Sequence, residues 1–508
     1  MKRILSMILA CALAFSLCAC GDGAVTDDDT AEEQVESNVA TEEELSELEA
    51  LIEEAGEIVD SGEYLTEYLV RNAVKAAEAV LESENPTTAE VEEAMSDLSL
   101  SLECLYDGSE FADVSELTAS DALTDPFTFL DGSYVDNAED WVRRSAEIKA
   151  MYQYYMYGVW RDGSDEELTY SLDGTSLTIN ITRISTGATT SFTATVNMPD
   201  ESISAPDGGY PVIVGMHSGI SEDTATANGY AVITLDWYAY GIASDDTKHT
   251  GAFYDLYPYG DDWQEQTGVL MAWSWGCSKI LDALEAGLGE ELDISCTNTA
   301  VTGVSRWGKA AMVCGAFEER FKLVMPSCSG AGGVALFRYT SEGKTYDFST
   351  KGASSSYTYG QNEPLSSLQA SGEVGWFNDR FKQFKSAEYL PFDQHLLLCT
   401  VADEDRYLFI IGSCIYEDWV NAPAMWYSYV AAEYVYDYLG IADHIAINIH
   451  QQGHAVLAED IEYATDYFDY HVYGIEPELD LDDLKTSVFA LDVNADESMD
   501  DFNKRWMD

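Results

Sequence analysis

The most informative run of the 508-residue chain reads Thr299-Ala300-Val301-Thr302-Gly303-Val304-Ser305-Arg306-Trp307-Gly308-Lys309. Its first four residues read as a buried strand, and a helix is predicted over Lys309–Phe317. Gly303 permits a tight turn between them, which would leave Ser305 exposed where the strand ends. This order of strand, Gly-x-Ser turn and helix is the layout of a nucleophile elbow. The pattern departs from strict Gly-x-Ser-x-Gly, because Trp307 occupies the second glycine position.

The segments around this run alternate between apolar strands and helices. Continuous apolar strands separated by helices are typical of a mainly parallel sheet that is covered on both faces. The sequence therefore predicts an α/β fold, a three-layer sandwich of the α/β-hydrolase type. The predicted strands are Leu177–Thr182, Thr189–Asn197, Tyr210–Met216, Ala231–Asp236, Thr299–Thr302, Phe321–Met325, Leu396–Thr400, Tyr407–Ile411 and Ile445–Ile449, and long helices are predicted over Glu139–Gly158 and Thr267–Gly287.

The N-terminus has the features of an export signal. Lys2 and Arg3 precede the apolar run Ile4–Leu17, which is too short for a stable membrane span. The run leads into Cys18-Ala19-Cys20-Gly21, which resembles a bacterial lipobox. Residues 1–19 are therefore predicted to be a lipoprotein-type signal peptide, with Cys20 as the lipidated first residue. Signal cleavage without a lipid is the alternative. Residues 20–42 are acidic and are predicted to form a disordered tether.

Residues 43–107 carry apolar side chains at helical spacing and predict a small three-helix bundle. The three stripes run over Leu45–Ile58, Tyr68–Leu81 and Val91–Leu102, and Thr88 is the predicted cap of the third helix. The bundle resembles the FIVAR modules of extracellular bacterial carbohydrate-active proteins. A rigid spacer and a sugar- or wall-binding module both fit this pattern.

The net charge of −67 limits the partners of the chain. Nucleic acids and anionic membrane surfaces would be repelled, whereas an esterified carboxylate is neutral and would not be. The cysteines outside the export segment form no Cys-x-x-Cys pair, so neither a metal nor a cofactor is expected. A monomer is expected, with membrane contact only through the lipid anchor. Residues 481–508 are acidic and are assigned to a C-terminal tail, with a small cap as the alternative.

A reactive serine needs a histidine base, and that histidine needs a carboxylate that fixes its tautomer. His454 lies in a loop directly after the predicted strand Ile445–Ile449, where enzymes built on parallel sheets place catalytic groups. His450 is the nearest alternative and is interpreted as a packing residue beside the site. His444 precedes the strand and should lie at the opposite edge. Without such partners, a serine after a strand is commonly only a helix cap.

Ordered motifs along residues 120–475 resemble those of the glucuronoyl esterases, carbohydrate esterase family fifteen. Gly303-x-Ser305-Arg306-x-Gly308-Lys309 looks like the family signature, and the catalytic domain is placed at residues 120–480. The other similar segments are Asp125–Gly132, Trp141–Arg144, Phe253–Pro258, Met271–Gly276, Ala316–Phe321, Ser329–Gly333, Pro391–Leu397 and the loop around Trp419. The resemblance implies hydrolysis of the ester that joins a 4-O-methyl-glucuronic acid on xylan to a lignin alcohol.

The resemblance also implies a role for each matching residue. Ser305 would attack the ester carbonyl, and His454 would take its proton and return it to the leaving alcohol. Arg306 would stabilise the tetrahedral oxyanion through its backbone N–H and its guanidinium group, a contribution of roughly 3–4 kcal/mol for one donor.

A second group of residues is implied to contact the sugar. Lys309 lies one helical turn beyond Ser305 and would point at the sugar hydroxyls, and Trp419 would stack on the pyranose ring. Glu373 matches a sugar-contacting carboxylate of the family, whereas Gln369 matches only when a gap is allowed. Trp376 is predicted to be a core residue.

The acid of the triad departs from the commonest family pattern. Many members carry it just before the Ser-Gly pair that matches Ser329-Gly330, where this chain has Cys328. Other bacterial members use a later acid, two residues before the stacking tryptophan. Anchored on Trp419, that residue is Glu417, and one extra residue between Trp419 and Pro423 keeps Asp418 as the alternative.

Three functions are therefore weighed. The first is a glucuronoyl esterase, and the second is a related carbohydrate esterase of the same fold, for instance one that removes acetyl groups. The third is a non-catalytic surface protein whose helical bundle binds carbohydrate. In each case the expected location is extracellular, with a lipid anchor at the bacterial cell surface.

Overall fold

The computed structural model describes residues 39–59, 62–216, 220–350, 353–370 and 372–479, together with Leu481 and Leu484. The predicted signal peptide, Cys20, most of the tether and most of the C-terminal tail lie outside these residues. Among the helices that are described, none is both long and apolar enough to span a bilayer.

A nine-stranded sheet forms the centre of the molecule, in the order β1-β2-β3-β5-β4-β6-β7-β10-β11. Strands β1 to β3 pair in antiparallel fashion and β3 is antiparallel to β5, whereas all pairs from β5 to β11 are parallel. The strands are β1 (Glu166–Asp173), β2 (Ser176–Arg183), β3 (Thr189–Asn197), β4 (Tyr210–Gly215), β5 (Ala231–Leu235), β6 (Ile294–Val304), β7 (Leu323–Ser327), β10 (Tyr407–Ser413) and β11 (Ile445–His450). The predicted mainly parallel sheet is confirmed. A separate hairpin consists of β8 (Thr345–Thr350) and β9 (Ala353–Thr358).

Helices cover both faces of the sheet and make the three predicted layers. Every residue of β5, β7 and β10 is buried, which explains their uninterrupted apolar sequences. One face packs against α5 (Glu222–Ala227) and α13 (Ala458–Tyr473). The other face packs against α7 (Val269–Ala283), α9 (Arg306–Phe317) and α12 (Ala422–Leu439). Helix α11 (Gln394–Cys399) packs on α9 and α12, and α4 (Ala138–Tyr152) packs on α11. The short helices α6 (Ala252–Leu256), α8 (Gly289–Leu292) and α10 (Leu365–Leu368) lie in connections.

The prediction of a strand over Leu396–Thr400 is wrong, because its first four residues belong to helix α11 and Thr400 is the C-cap of that helix. A short apolar run is ambiguous between a strand and a buried helix when periodicity is the only guide. Asp393 resolves the ambiguity in the structure, since its side chain caps the helix at the Gln394 N–H.

The N-terminal helices form the predicted three-helix bundle. They are α1 (Glu42–Val59), α2 (Glu67–Glu82) and α3 (Thr88–Glu103), and their apolar faces share a small core of their own. The cap of α3 is Thr87 and not Thr88, because Thr87 and Glu90 exchange the two hydrogen bonds of a capping box. The likeness to FIVAR modules stays a prediction.

The bundle is joined to the catalytic domain by a packed segment over residues 108–119. Phe111 is buried between the rings of Tyr154 and Tyr155, with ring centroids 5.2 and 5.8 Å away. The Tyr155 hydroxyl donates a hydrogen bond to the carbonyl of Ala112 over 2.6 Å. A domain boundary placed at residue 120 therefore separates the catalytic domain from part of its own core.

We expect Phe111→Ala to lower the free energy of unfolding by about 3 kcal/mol, because it empties a ring-sized space in a packed aromatic cluster. Leu130→Ala is the matched control. Leu130 is 47% exposed, so its truncation should change stability by less than about 0.5 kcal/mol. Urea unfolding of the full chain measures both values, and equal effects would show that the segment over 108–119 does not contribute to the core.

Candidate active site

Ser305 lies on a sharp turn between β6 and α9, at the carboxyl edge of the sheet. Its backbone adopts φ 63° and ψ −122°, a conformation that non-glycine residues rarely populate. The Ser305 N–H donates a hydrogen bond to the carbonyl of Ser327 at the end of β7, over 2.9 Å. The neighbouring strand thus holds the serine in place.

Two glycines make this turn possible by lacking a Cβ atom. A Cβ on Gly303 would lie 2.4 Å from the carbonyl oxygen of Trp307, and one on Gly308 would lie 2.3 Å from the carbonyl oxygen of Ser327. Both distances are far below a van der Waals contact. Gly308 therefore does the packing work that the second glycine of a strict Gly-x-Ser-x-Gly motif would do.

His454 follows β11 in a loop, as predicted, and its Nδ1 atom is hydrogen-bonded to Oε1 of Glu417. The Glu417 side chain is fully buried, whereas 44% of the His454 side chain is exposed. A buried carboxylate on Nδ1 orients the ring and leaves Nε2 as the nitrogen that is available to a substrate or a nucleophile.

Asp418, the alternative acid, has a different task. Its carboxylate accepts hydrogen bonds from the backbone N–H of Gly360 and, over 2.8 Å, from the hydroxyl of Tyr357. Asp418 thereby ties the β8–β9 hairpin to the loop after β10. The structure brings Glu417, and not Asp418, to His454.

The other two candidate histidines also lie where the sequence places them. His450 Nε2 is 3.0 Å from the carbonyl oxygen of Ala455 and 3.5 Å from a carboxylate oxygen of Asp460, so His450 supports the loop that carries His454. His444 precedes β11 and contacts Asp403 over 3.1 Å at the opposite edge of the sheet.

Cys328 lies beside Glu417 and His454. It directly follows β7, and its Sγ atom lies within 4.8 Å of the ligand atoms of Glu417 and His454. Burial raises the pKa of the Cys328 thiol well above its usual range, and the negative charge of Glu417 raises it further. The thiol is therefore neutral and cannot replace a carboxylate. These three residues are also the group, within the described part of the chain, whose donor atoms could hold a metal ion.

The guanidinium of Arg306 lies at the start of α9 and is held by Asp245. The ion pair spans 2.5 Å, and the second oxygen of Asp245 accepts a hydrogen bond from Nε1 of Trp376 over 2.7 Å. Trp376 is buried, as predicted, and its ring lies 5.3 Å from the guanidinium carbon. Asp245 is a residue that the sequence analysis missed.

Lys309 does not extend toward open space. Its ammonium group donates to the carbonyls of Ser329 and Ala331 and forms a 2.6 Å ion pair with Glu363. The other oxygen of Glu363 accepts a hydrogen bond from Nε1 of Trp419 over 3.0 Å. Trp419 itself is 42% exposed. Lys309 therefore holds this exposed side chain indirectly, because its ion pair fixes the glutamate that accepts the hydrogen bond from the tryptophan.

Glu363 was also missed, because a single loop glutamate carries no signal in a chain with 92 acidic residues. Glu373, which the resemblance did identify, lies in the same electrostatic environment. Burial raises the pKa of Glu373, and the nearby charge of Glu363 raises it further, whereas Lys309 and Arg306 lower it.

Gln369 is not brought to this group by any described hydrogen bond. Its amide nitrogen donates to the carbonyls of Phe381 and Phe384, over 2.8 and 2.9 Å. The side chain therefore fastens the loop after α10, which is a structural task.

The fold and the serine on its strand-to-helix turn are those of the α/β-hydrolases. The family model described as "Glucuronyl esterase, fungi" matches residues 179–440. The chain belongs to the glucuronoyl esterase family.

Individual relatives agree with this assignment. The chain is 60% identical over 401 residues to a multidomain esterase of Ruminococcus flavefaciens, which covers 78% of this chain and 52% of that protein. It is 34% identical over 332 residues to the 4-O-methyl-glucuronoyl methylesterase of Hypocrea jecorina, which covers 65% of each. The chain thus spans about half the length of the first relative and just under two thirds of the second.

Solved structures give the same result. A carbohydrate esterase family 15 glucuronoyl esterase from Caldicellulosiruptor kristjansonii superposes with a TM-score of 0.66 at 40% identity, which covers 75% of this chain and 97% of that one. A serine-to-alanine mutant of the Sporotrichum thermophile glucuronoyl esterase, solved with methyl 4-O-methyl-β-D-glucopyranuronate, superposes with a TM-score of 0.59 at 25% identity, covering 71% and 90%.

We expect Lys309→Met to lower the free energy of unfolding by about 3 kcal/mol, because it leaves the Glu363 carboxylate buried without its cation. Lys248→Met is the matched control: Lys248 is 77% exposed and pairs with Asp246 at the surface, so its loss should cost less than about 1 kcal/mol. The double change Lys309→Met with Glu363→Gln should recover part of the loss. Thermal unfolding compares the variants, and equal midpoints for the two single changes would contradict the inference that the buried pair of Lys309 and Glu363 stabilises the fold.

Proposed function

We propose that the chain is a serine esterase that hydrolyses esters of 4-O-methyl-glucuronic acid. The observation that carries the proposal is the hydrogen bond between the buried Glu417 and Nδ1 of His454, at the sheet edge where Ser305 occupies its strained turn. Family membership supports the substrate class, because a structural neighbour was solved with the methyl ester of this sugar acid.

In the proposed reaction, Ser305 Oγ attacks the ester carbonyl while His454 Nε2 accepts the hydroxyl proton. The tetrahedral intermediate collapses, the C–O bond to the alcohol breaks, and His454 returns the proton to the leaving oxygen. A water molecule, deprotonated by His454, then attacks the acyl-enzyme, the bond between the acyl carbon and Ser305 Oγ breaks, and His454 returns the proton to Oγ as the uronic acid leaves. The Glu417 carboxylate stabilises the imidazolium that forms in each step.

Arg306 supplies the proposed stabilisation of the oxyanion. Its backbone N–H is at the first position of α9, where a helix leaves its N–H groups without partners inside the helix. Its guanidinium is held by Asp245 and Trp376 before substrate arrives. Donors that are fixed in advance cost no reorganisation during the reaction, which is the condition for strong electrostatic catalysis.

We propose that the sugar ring rests on Trp419, which Glu363 and Lys309 hold in a fixed orientation, and that Glu373 contacts a hydroxyl group. The net charge of −67 is compatible with this substrate, because the ester is neutral. The product is an anion and is repelled by the surrounding field, which favours its release.

The wider setting remains part of the proposal. The alcohol would come from lignin and the uronic acid from a xylan side chain, and the chain would act as an extracellular monomer. The lipobox-like sequence at Cys20 supports a lipid anchor.

Ser305→Ala should abolish hydrolysis of methyl glucuronate, with a loss of kcat of at least about a thousandfold, because the attacking oxygen is gone. Ser202→Ala, at an exposed position, should leave the rate unchanged. The wild-type chain should also hydrolyse methyl glucuronate faster than acetylated xylan. Equal rates on the two substrates would instead favour the broader carbohydrate esterase, and an unaffected alanine variant would remove Ser305 from the mechanism.

Glu417→Gln and Asp418→Asn distinguish the two candidate acids. We expect Glu417→Gln to lower kcat by at least about tenfold, because a neutral amide no longer fixes the tautomer of His454 or stabilises its charge. Asp418→Asn should change kcat by less than about threefold and act mainly on stability, since Asp418 holds the β8–β9 hairpin. Steady-state kinetics and thermal unfolding of both variants measure this, and the reverse order of kcat losses would reassign the acid.

A further inference from the structure

A cleft that is separate from the candidate active site lies between the helical bundle and the catalytic domain, at the β1–β2 end of the sheet. Its volume is about 510 Å³, which is in the range of small-ligand sites. Tyr64 from the bundle side, together with Trp160, Tyr257 and Trp263 from the catalytic domain, contributes aromatic surface to its walls. The cleft shares no residue with the group formed by Ser305, Glu417 and His454.

Arg161 contributes a positive charge to the cleft wall. Its Nη2 atom donates to the backbone carbonyl of Gln264 over 2.7 Å, and its Nε atom is buried without an acceptor among the described residues. No carboxylate oxygen of the described residues lies within ion-pair distance of it. Burial lowers the pKa of Arg161 and the charge of Arg183 lowers it further, whereas Tyr257 and the carboxylates of Asp162 and Glu265 act in the opposite direction.

Four carboxylates line the cleft, those of Glu63, Glu67, Asp162 and Asp165. Glu67 and Asp162 pair with Arg71 over 3.1 and 2.6 Å, and Asp165 pairs with Arg183 over 2.8 Å. The guanidinium of Arg183 and that of Arg161 both lie near the ring of Tyr257, at 4.5 and 5.4 Å from its centroid. Two cations on one ring repel each other, so an anion bound at Arg161 would be stabilised by both.

We propose that this cleft binds a uronate, the negatively charged sugar acid of a glucuronoxylan side chain, with its carboxylate on Arg161 and its ring against the aromatic walls. An arginine matches a carboxylate geometrically, and aromatic rings pack against sugar faces. The choice of uronate rests on the proposed function, because ester hydrolysis converts a neutral side chain into this anion. The cleft then holds xylan that has already been de-esterified and keeps the remaining esters close to Ser305.

The test uses the full chain carrying Ser305→Ala, so that no ester is consumed. Calorimetric titration compares xylotriose that carries a free 4-O-methyl-glucuronic acid, the methyl ester of the same compound, and plain xylotriose. We expect Arg161→Gln to weaken binding of the free acid by about tenfold or more, the loss typical of a charge-assisted hydrogen bond. Binding of the ester and of plain xylotriose should not respond to this change.

A second pair of variants covers the case in which Arg161→Gln does not fold. Ile184 lines the cleft and is 56% exposed, and Ile475 is 54% exposed and lies outside it. Ile184→Glu should weaken binding of the free acid through charge repulsion, whereas Ile475→Glu adds the same charge to the chain and should not. Equal effects of the two changes would overturn the site, as would free acid and ester that depend equally on Arg161.

Two further measurements separate this inference from the proposed function. Hydrolysis of methyl glucuronate by chains with an intact Ser305 should be the same with and without Arg161→Gln. If hydrolysis occurs but the free acid shows no dependence on Arg161, the cleft assignment alone fails. If the free acid binds but no ester is hydrolysed, the proposed function alone fails. Sulfate that displaces the free acid at equal concentration would show a simple anion site and overturn the assignment to a sugar acid.

Discussion

The carbonyl of Ser327 is the point on which the geometry of the active site depends. It accepts the N–H of Ser305, and it lies so close to Gly308 that any side chain there would collide with it. The strained backbone of Ser305 is held by this fit between the start of α9 and the end of β7, and not by the serine itself. The residue after Ser327 is Cys328, which contacts Glu417 and the carbonyl of Ala455. Ser305 and the loop that carries His454 therefore both contact the end of β7.

Charge is distributed differently at the candidate active site and in the cleft beside the helical bundle. Around Ser305, the cations are already matched: Arg306 by Asp245 and Lys309 by Glu363. A site of this kind offers orientation and hydrogen-bond donors but little excess positive charge, which suits a neutral ester better than the anionic product. At the bundle boundary, no carboxylate of the described residues forms an ion pair with Arg161. In a chain with 25 basic and 92 acidic residues, this arginine is the position at which we propose that an anion binds.

Prediction from the sequence succeeded where a local pattern of residues is compatible with only one local structure. The parallel strands, the elbow and the position of His454 after β11 follow from apolar runs and turn residues, and all are found in the structure. The strand predicted over Leu396–Thr400 was wrong because so short a run shows no periodicity that distinguishes a strand from a helix. The Asp393 cap that starts the helix is recognised only in the folded structure. Glu363 and Asp245 could not be predicted, since their importance comes from partners 54 and 61 residues away in the chain. Lys309 was found by its motif, but its direction depends on the carbonyls of Ser329 and Ala331.

The order of the strands in the sheet explains which side chains meet at His454. Strands β7 and β10 are neighbours in the sheet, so the loops that follow them reach the same side of His454. Cys328 comes from the first loop and Glu417 from the second, and their side chains meet within 4.8 Å at the histidine. Of these two residues, Glu417 is the one that is hydrogen-bonded to Nδ1 of His454. Here the first loop has a neutral thiol, and the burial that keeps it protonated also encloses Glu417. We therefore propose that Glu417, from the loop after β10, is the acid that orients His454.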